Sequence, residues 1–198
     1  MHVTKSERTR KFIIEKTAPV FNKKGFDGTS LTDLLDVTGL TKGSLYGNFK
    51  DKEEISLEAF HYSIGKVREM VTLELAEAKT YKGQLIALLN FYAKYVFEPP
   101  VAGGCPLLNT AIEADDHHTS MRKVVTTELM STVNFITNLI KQGIKAGEFK
   151  KNIKPSEIAY SFFCAIEGAI MFSRVERSSE PMDIVVKHCK NTLQQISN

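Results

Sequence analysis

Residues 30–52 read SLTDLLDVTGLTKGSLYGNFKDK, and the spacing within this stretch decides the fold. Leu31, Leu34 and Leu35 recur at i, i+3 and i+4, which puts them on one face of a short helix. Gly39 follows where that helix must end, because glycine takes a left-handed terminal conformation without steric cost. Thr41 then offers a hydroxyl to cap a second helix, in which Leu45 and Phe49 lie four apart and face inward. Lys42, Gly43, Ser44, Tyr46, Gly47 and Asn48 are left as a slim, polar, basic outer surface. Two helices on a tight glycine turn, the second apolar inside and polar outside, predict a helix-turn-helix.

Gly25–Phe26, Thr29–Ser30, Gly39–Leu40, Lys42-Gly43-Ser44-Leu45-Tyr46, Phe49 and Asp51-Lys52-Glu53 also stand in a fixed order and spacing. On these residues the first third of the chain resembles the amino-terminal domain of the TetR family. The remainder is similar to that family only in its helical pattern and length. The resemblance implies a transcriptional regulator that binds operator DNA. Three departures bear on it: Pro19 stands where the family more often has a helix former, Asn48 where it often has His, and Gly47 where it often has a bulkier residue.

Composition is consistent with this reading. A chain of 198 residues, 42 % hydrophobic, can bury a real core in one medium or two small domains. Its net charge is only +3, yet residues 1–52 hold ten Lys or Arg against six Asp or Glu, and the rest holds sixteen against seventeen. The basic surplus is confined to the segment with the helix-turn-helix, as attraction to phosphates requires. No apolar run approaches the ~20 residues of a membrane span, and the start, MHVTKSERTRK, lacks the apolar core of a signal peptide. Three widely spaced cysteines argue against a disulfide scaffold and for a reducing, cytoplasmic setting.

Along the chain, helical periodicity predicts a first helix over 6–24, with Arg8, Arg10, Lys11 and Lys16 near its exposed start and a kink or break at Pro19. Asp51 should cap a long fourth helix to about Ala78, a spacer weakened at Gly65. A fifth runs over 81–97 to Pro99–Pro100, and a short sixth from Cys105–Pro106 to about Ala114. Asp115-Asp116-His117-His118 reads as a solvated polar turn, not a metal site, since no i, i+4 ligand spacing appears. Helices over 120–146, 155–176 and 181–196 complete the chain, the second of these beginning at Pro155 in the favoured first-turn position. The expectation is an all-α protein of about nine helices. Residues 1–52 form the DNA-binding domain, a linking helix spans about 51–78, and 53–198 form a larger effector-binding and dimerisation domain.

Within that frame, Lys42 and Lys52 are the expected phosphate contacts, and Tyr46 and Ser30 hydroxyls could reach phosphates as well. Thr41 caps the reading helix, Gly43 permits close backbone approach, and Ser44, Gly47 and Asn48 face the base edges, Asn48 being able to pair with adenine. The stretch 159–172 is apolar nearly all round, which predicts burial on every side and hence a partner subunit. Phe162, Ile166, Gly168 and Ile170, with Ile184, His188 and Leu193 on the last helix, are the expected two-fold homodimer surface. Phe91, Tyr92, Tyr95, Met121, Met130, Phe135 and Cys164 could line a cavity for an apolar effector or could be plain core.

Cys105 precedes a helix whose free N–H groups favour a thiolate. The run Gly104-Cys105-Pro106-Leu107-Leu108-Asn109 with Glu113 is similar to one in a subset of the TetR family, some of whose members sense electrophiles or oxidants through this cysteine; Pro106 departs from it, and a structural thiol is the alternative. Nothing resembles a nucleophile elbow, a P-loop or a dinucleotide fingerprint, and no cofactor, metal or catalytic residue is expected. The resemblance therefore implies a dimeric repressor on a palindromic operator, released by a small-molecule or electrophilic signal. Its rivals are a constitutive architectural DNA-binding protein without an effector and a helical enzyme that carries such a head.

Overall fold

Short-range chemistry sets the ends of each helix in the first part of the chain. In the computed structural model, which describes residues 4–198, α1 spans Lys5–Lys24. It opens on a capping box in which the Thr4 hydroxyl accepts from the Glu7 N–H and the Glu7 carboxylate accepts from the Thr4 N–H. α1 continues through Pro19 as one helix, where a break had been a possibility. α2 (Leu31–Thr38) opens on a second capping box, Ser30 with Asp33, and closes on Gly39, whose φ of 66° is the left-handed turn anticipated there. α3 (Lys42–Tyr46) is shorter than the Thr41–Phe49 helix expected, and is capped by the Thr41 hydroxyl.

α4 (Lys52–Leu75) begins where the Asp51 carboxylate accepts from the Glu54 N–H at 2.8 Å. α5 spans Tyr81–Tyr95, and α6 spans Pro106–His117. α6 thus runs on past Ala114, and the expected polar turn shrinks to a break at His118. α7 (Thr119–Lys145), α8 (Pro155–Glu176) and α9 (Glu180–Ile196) follow, nine helices among the described residues. The only extended pairing among them is an isolated bridge between Phe149 and Ser197. The protein is all α.

Two compact units form. The first takes Met1–Val67 together with Pro100–Val125, the second Arg68–Pro99 together with Thr126–Asn198. Packing therefore groups α6 and the first turns of α4 with the helix-turn-helix. The core of the first unit is Ile13, Phe21, Leu34, Leu45, Phe49 and Ile55, with Val101 added from the loop before α6. In the second unit Leu85, Leu89, Ile136, Ile140, Ile166 and Ile170 are fully buried, and α9 packs on both α8 and α5.

α8 bears on two sequence expectations. It is 22 residues long with a mean hydropathy of 1.4 over its most apolar window, so by length and composition it could cross a membrane. Glu167 in its middle and its packing against α9 make it the core helix of a folded unit instead. Within the single subunit Tyr160, Met171, Phe172 and Val175 are exposed on one side of it.

Candidate nucleic-acid interface

A helix of five residues cannot hold itself together, since about one and a half turns offer few internal hydrogen bonds against the cost of nucleation. Its neighbours supply the rest. Leu45 is fully buried and Phe49 nearly so, which anchors the inner face of α3 in the core. Thr41 Oγ1 accepts from the Ser44 N–H at 3.2 Å at the start. At the far end the Gly47 N–H reaches the Gly43 carbonyl and the Phe49 N–H reaches that of Leu45. Thr41, Lys42, Gly43 and Gly47 are left exposed in a row, with Ser44, Tyr46 and Asn48 half-buried.

The outer face is smaller than the sequence suggested. Asn48 is not free to pair with a base: its Nδ2 donates to the Ser44 carbonyl at 2.9 Å, and its Oδ1 accepts from the Ser6 hydroxyl at 3.3 Å. Lys52 is held from below. Its Nζ donates to the carbonyls of Phe26 (2.7 Å) and Thr29 (2.9 Å) and lies 4.1 Å from the centroid of the Phe26 ring. It staples the turn after α1 to the start of α4. The Ser30 hydroxyl is engaged as a cap, accepting from the Asp33 N–H and donating to Asp33 Oδ2 at 2.8 Å. The Tyr46 ring packs on the core cluster. The Lys42 side chain is exposed at the start of α3, where a phosphate would also meet free N–H groups.

Asp33 is electrostatically the most perturbed group here. The Lys24 ammonium 2.6 Å away, then the Ser30 N–H and hydroxyl, hold its carboxyl down at about 2. Lys24 is thereby ion-paired, while the Lys42 side chain stays exposed.

Two family profiles match the chain: "Bacterial regulatory proteins, tetR family" over residues 13–59, and "Tetracyclin repressor-like, C-terminal domain" over residues 82–189. The chain belongs to the TetR family. A TetR-family regulator from Cytophaga hutchinsonii is 41 % identical and superimposes with a TM-score of 0.93 over all of this chain and 98 % of that one. Among curated relatives, the repressor DhaR of Mycobacterium sp. strain GP1 is 24 % identical over 96 % of both chains, and the repressor NemR of Escherichia coli 21 % identical over 93 % of this chain and 94 % of that one. At the level of fold alone, a reduced form of E. coli NemR aligns with a TM-score of 0.83 and 20 % identity over 96 % of this chain and 97 % of that one. The regulator CifR, solved as a cysteine mutant on a 26-bp operator duplex, aligns at 0.81 and 19 % over 91 % and 94 %. The TetR-family chain is thus a DNA-binding transcriptional regulator and not an enzyme.

The effector residues expected from sequence are not brought together. Phe91, Tyr92 and Tyr95 stack edge-on or tilted at centroid distances of 5.2, 5.5 and 5.8 Å and are core. Met130 and Phe135 are each 41 % exposed and Cys164 is exposed as well. Cys105 and Met121 lie in the other unit. Met121 does line a cavity of about 40 Å³ there, with Phe21, Phe60, Ser56, Asn109 and His118 among its walls. That volume suits roughly three waters.

Of the dimer residues, Phe162, Ile166, Ile170 and Leu193 are buried within the subunit, and Gly168 is half-buried. Ile184 and His188 are exposed, as are Tyr160, Cys164, Met171, Phe172 and Val175, a stripe at helical spacing on α8. The apolar outer face exists, but largely on different residues from those expected. No group of three metal-ligating side chains converges among the described residues; the side chains of Asp116 and His117 lie outside them.

Sequence reading named Asn109 and Glu113 only as part of the run around Cys105, and missed Asn22 and the bonds that tie α6 to α1. Asn22 Nδ2 donates to the carbonyls of Gly104 (3.0 Å), Ala102 (3.3 Å) and Val101 (3.4 Å). Asn109 Nδ2 reaches the Asn22 carbonyl at 2.9 Å and that of Gly103 at 3.0 Å. Gly103 has φ 126°, and a Cβ there would come within 2.8 Å of the Asn22 backbone, so only glycine lets the loop pass. Glu113 accepts from the N–H groups of Phe26 (2.6 Å) and Asp27 (2.8 Å). Cys105 itself sits buried at the N-cap of α6, inside this network. Cys189 is buried too, and desolvation pushes its thiol up to about 11, which makes it inert as a nucleophile.

Proposed function

We propose that this TetR-family chain is a repressor that binds a palindromic operator as a homodimer in the cytoplasm and is released by a small-molecule or electrophile/oxidant signal. Residues 1–52 hold the DNA-reading surface and 53–198 carry signal reception and dimerisation. Each subunit sets α3 in a major groove, and the two half-sites lie one helical turn, ~34–36 Å, apart. Lys42 and Tyr46 contact phosphates, and Gly43 and Ser44 approach the base edges. What carries the reading is the exposed row Thr41, Lys42, Gly43 and Gly47 on a helix whose inner face is fully anchored. The curated relatives DhaR and NemR bear the description repressor, and CifR has been solved on operator duplex.

Dimerisation uses the exposed stripe on α8, with Ile184 and His188 of α9 beside it. A stripe of this kind is what an isologous two-fold interface presents. For the signal, Cys105 is the favoured entry. It begins the helix whose Asn109 and Glu113 hold α1 and the turn after it. Addition of its Sγ to an electrophilic carbon, with the thiol proton passing to the acceptor, would add bulk where the thiol is now only 7 % exposed. NemR has been solved in a reduced form, and the CifR complex carries substituted cysteines, so thiol state is a variable in both neighbours. A switch from 99:1 bound to 1:99 released needs a bias of roughly 5.5 kcal/mol between the two states.

Selection of bound duplexes from random sequence is the decisive test. An enriched palindrome with half-sites one turn apart is expected, and on it Lys42→Ala should lose about two units of salt slope, one for each subunit. Recovery of no common site would remove the operator reading. Treatment with N-ethylmaleimide should release the wild type from that duplex and leave Cys105→Ser bound; equal release of both would exclude the thiol as the entry of the signal.

A further inference from the structure

Arg10, on α1, lies under the exit of the reading helix and belongs to no role assigned above. Its guanidinium donates to the backbone carbonyl of Asn48, two residues beyond the end of α3, and to Glu54 Oε1 on α4 at 2.8 Å. Glu58 stands 4.0 Å off on the same side. The guanidinium carbon sits 4.1 Å from the centroid of the Phe49 ring, a residue only 2 % exposed. Glu54 in turn accepts from the Lys50 N–H at 2.7 Å. One planar fork thus touches the backbone at residue 48, the ring at 49 and, through Glu54, the backbone at residue 50.

These are three of the five residues, 47–51, that connect α3 to α4. At the end of so short a helix, orphan carbonyls must find partners outside it. Asn48 covers the Ser44 carbonyl with its own side chain, and Arg10 covers the carbonyl of Asn48. Gly47, just before Asn48, is exposed and has no side chain to brace it. Nothing else among these contacts reaches the exit of α3 from α1 except the Ser6 hydroxyl at 3.3 Å from Asn48 Oδ1.

We infer that Arg10 is a positioning residue for DNA reading: it fixes the exit, and so the pitch, of the recognition helix from beneath, and governs discrimination between sequences without touching a phosphate. The inference rests on α3 being the reading element. The geometry demands a fork, since a lysine ammonium is a single point and cannot serve the Asn48 carbonyl, the Glu54 carboxylate and the Phe49 face together. Keeping the charge is therefore not enough to keep the function.

The test compares the full-length wild type, Arg10→Lys, Arg10→Ala and Glu54→Gln on two probes. One is the duplex that the wild type enriches from random sequence; the other is a scrambled duplex of equal length. Binding is titrated across salt concentrations. Both Arg10 variants should lose about ten-fold in the ratio of enriched to scrambled affinity, the scale of a lost charged hydrogen bond. Their salt slopes should match the wild type, and Glu54→Gln should fall between. A slope smaller by about two, one for each subunit, with both affinities reduced equally, would make Arg10 an ordinary phosphate contact and overturn the inference. An unchanged ratio in Arg10→Lys overturns it as well. Should Arg10→Ala fail to fold, Arg10→Lys and Glu54→Gln carry the test, with helical content by circular dichroism as the control. If the wild type itself enriches no site, it is the reading of α3 that fails, and that outcome is seen before any variant is made.

Discussion

The helix-turn-helix region and the α8–α9 hairpin reach stability by opposite routes. From Thr4 to Asp51 the helices are closed by side chains: Thr4 with Glu7, Ser30 with Asp33, Thr41, and Asp51 for α4. In the hairpin, neither Lys154 before α8 nor Ser179 before α9 makes a side-chain cap, and each helix simply starts near a proline. α2 and α3, of eight and five residues, bury too little to offset the cost of nucleation, so their unpaired N–H groups must be satisfied locally; α1 and α4, of 20 and 24 residues, are capped as well. Helices of 22 and 17 residues draw more of their stability from packing, although the start of α9 is still served by side chains, the Glu180 N–H donating to Ser178 Oγ at 3.2 Å and the Met182 N–H to Ser173 Oγ at 3.1 Å. The difference has a functional side. A surface that reads DNA has to be small, polar and rigid, and caps give rigidity without adding bulk. Packing leaves one apolar face of α8 uncovered, as the proposed two-fold interface would need.

The largest expected effect breaks the second half of that contrast. Phe172 is 55 % exposed, so Phe172→Glu should leave the helical content of the monomer unchanged. A buried charge in a two-fold interface occurs twice, and the variant should sediment as a monomer at micromolar concentration. Its affinity for the enriched duplex should fall by at least about 100-fold, because the two half-sites are no longer engaged by one linked particle. A dimer that survives in ultracentrifugation would show that α8 faces something else.

Next in size is a test of polar anchoring in the first unit. Glu113→Ala strands the N–H groups of Phe26 and Asp27 and should cost about 1–3 kcal/mol. The loss is read as a lower midpoint in thermal or urea unfolding. An unaltered midpoint would mean that water replaces the carboxylate freely and that the α6 anchor is incidental. The smallest effect concerns the cap of α2. Asp33 is depressed from 3.8 to about 2 in the folded state, so its contribution is fully present above the ordinary aspartate value. It is lost as pH falls through about 2, when the carboxylate is protonated in both states. The gap in stability between wild type and Asp33→Asn should therefore be constant from neutral pH down to about 4 and close below it. A gap that persists at pH 2 would assign the effect to the amide geometry and not to charge. Solvent screening keeps this gap small.

Much of the fold was legible, for reasons that differ by element. The capping residues Thr41 and Asp51, the terminal Gly39 and the proline at the start of α8 act within four residues of one another, so sequence spacing carries their geometry. The bounds of α8 came out as expected because both signals, Pro155 and the end of the apolar run, are local. What failed was phase and partnership. A helix apolar nearly all round gives no periodic signal to say which side faces inward, and so Phe162, Ile166 and Ile170 were placed outward when they are core. Asn48 and Lys52 looked like free polar groups because their partners, Ser6 and the carbonyls of Phe26 and Thr29, are set by the folding of α1 against α3 and α4.

The candidate site shows the same boundary. The amino-acid sequence by itself determined that this protein is helical, that Ser30–Phe49 is a helix-turn-helix, and that positive charge gathers in the segment that carries it. These follow from periodicity, caps and composition, all of them short-range or additive properties. Only the tertiary structure decided which polar side chains remain available and which are used up in holding the fold. Asn109 and Glu113 reach residues 87 positions earlier in the chain, and no spacing rule foretells such a bond. A hydrogen bond is a matter of angstroms and angles, and those are settled only when distant segments have packed.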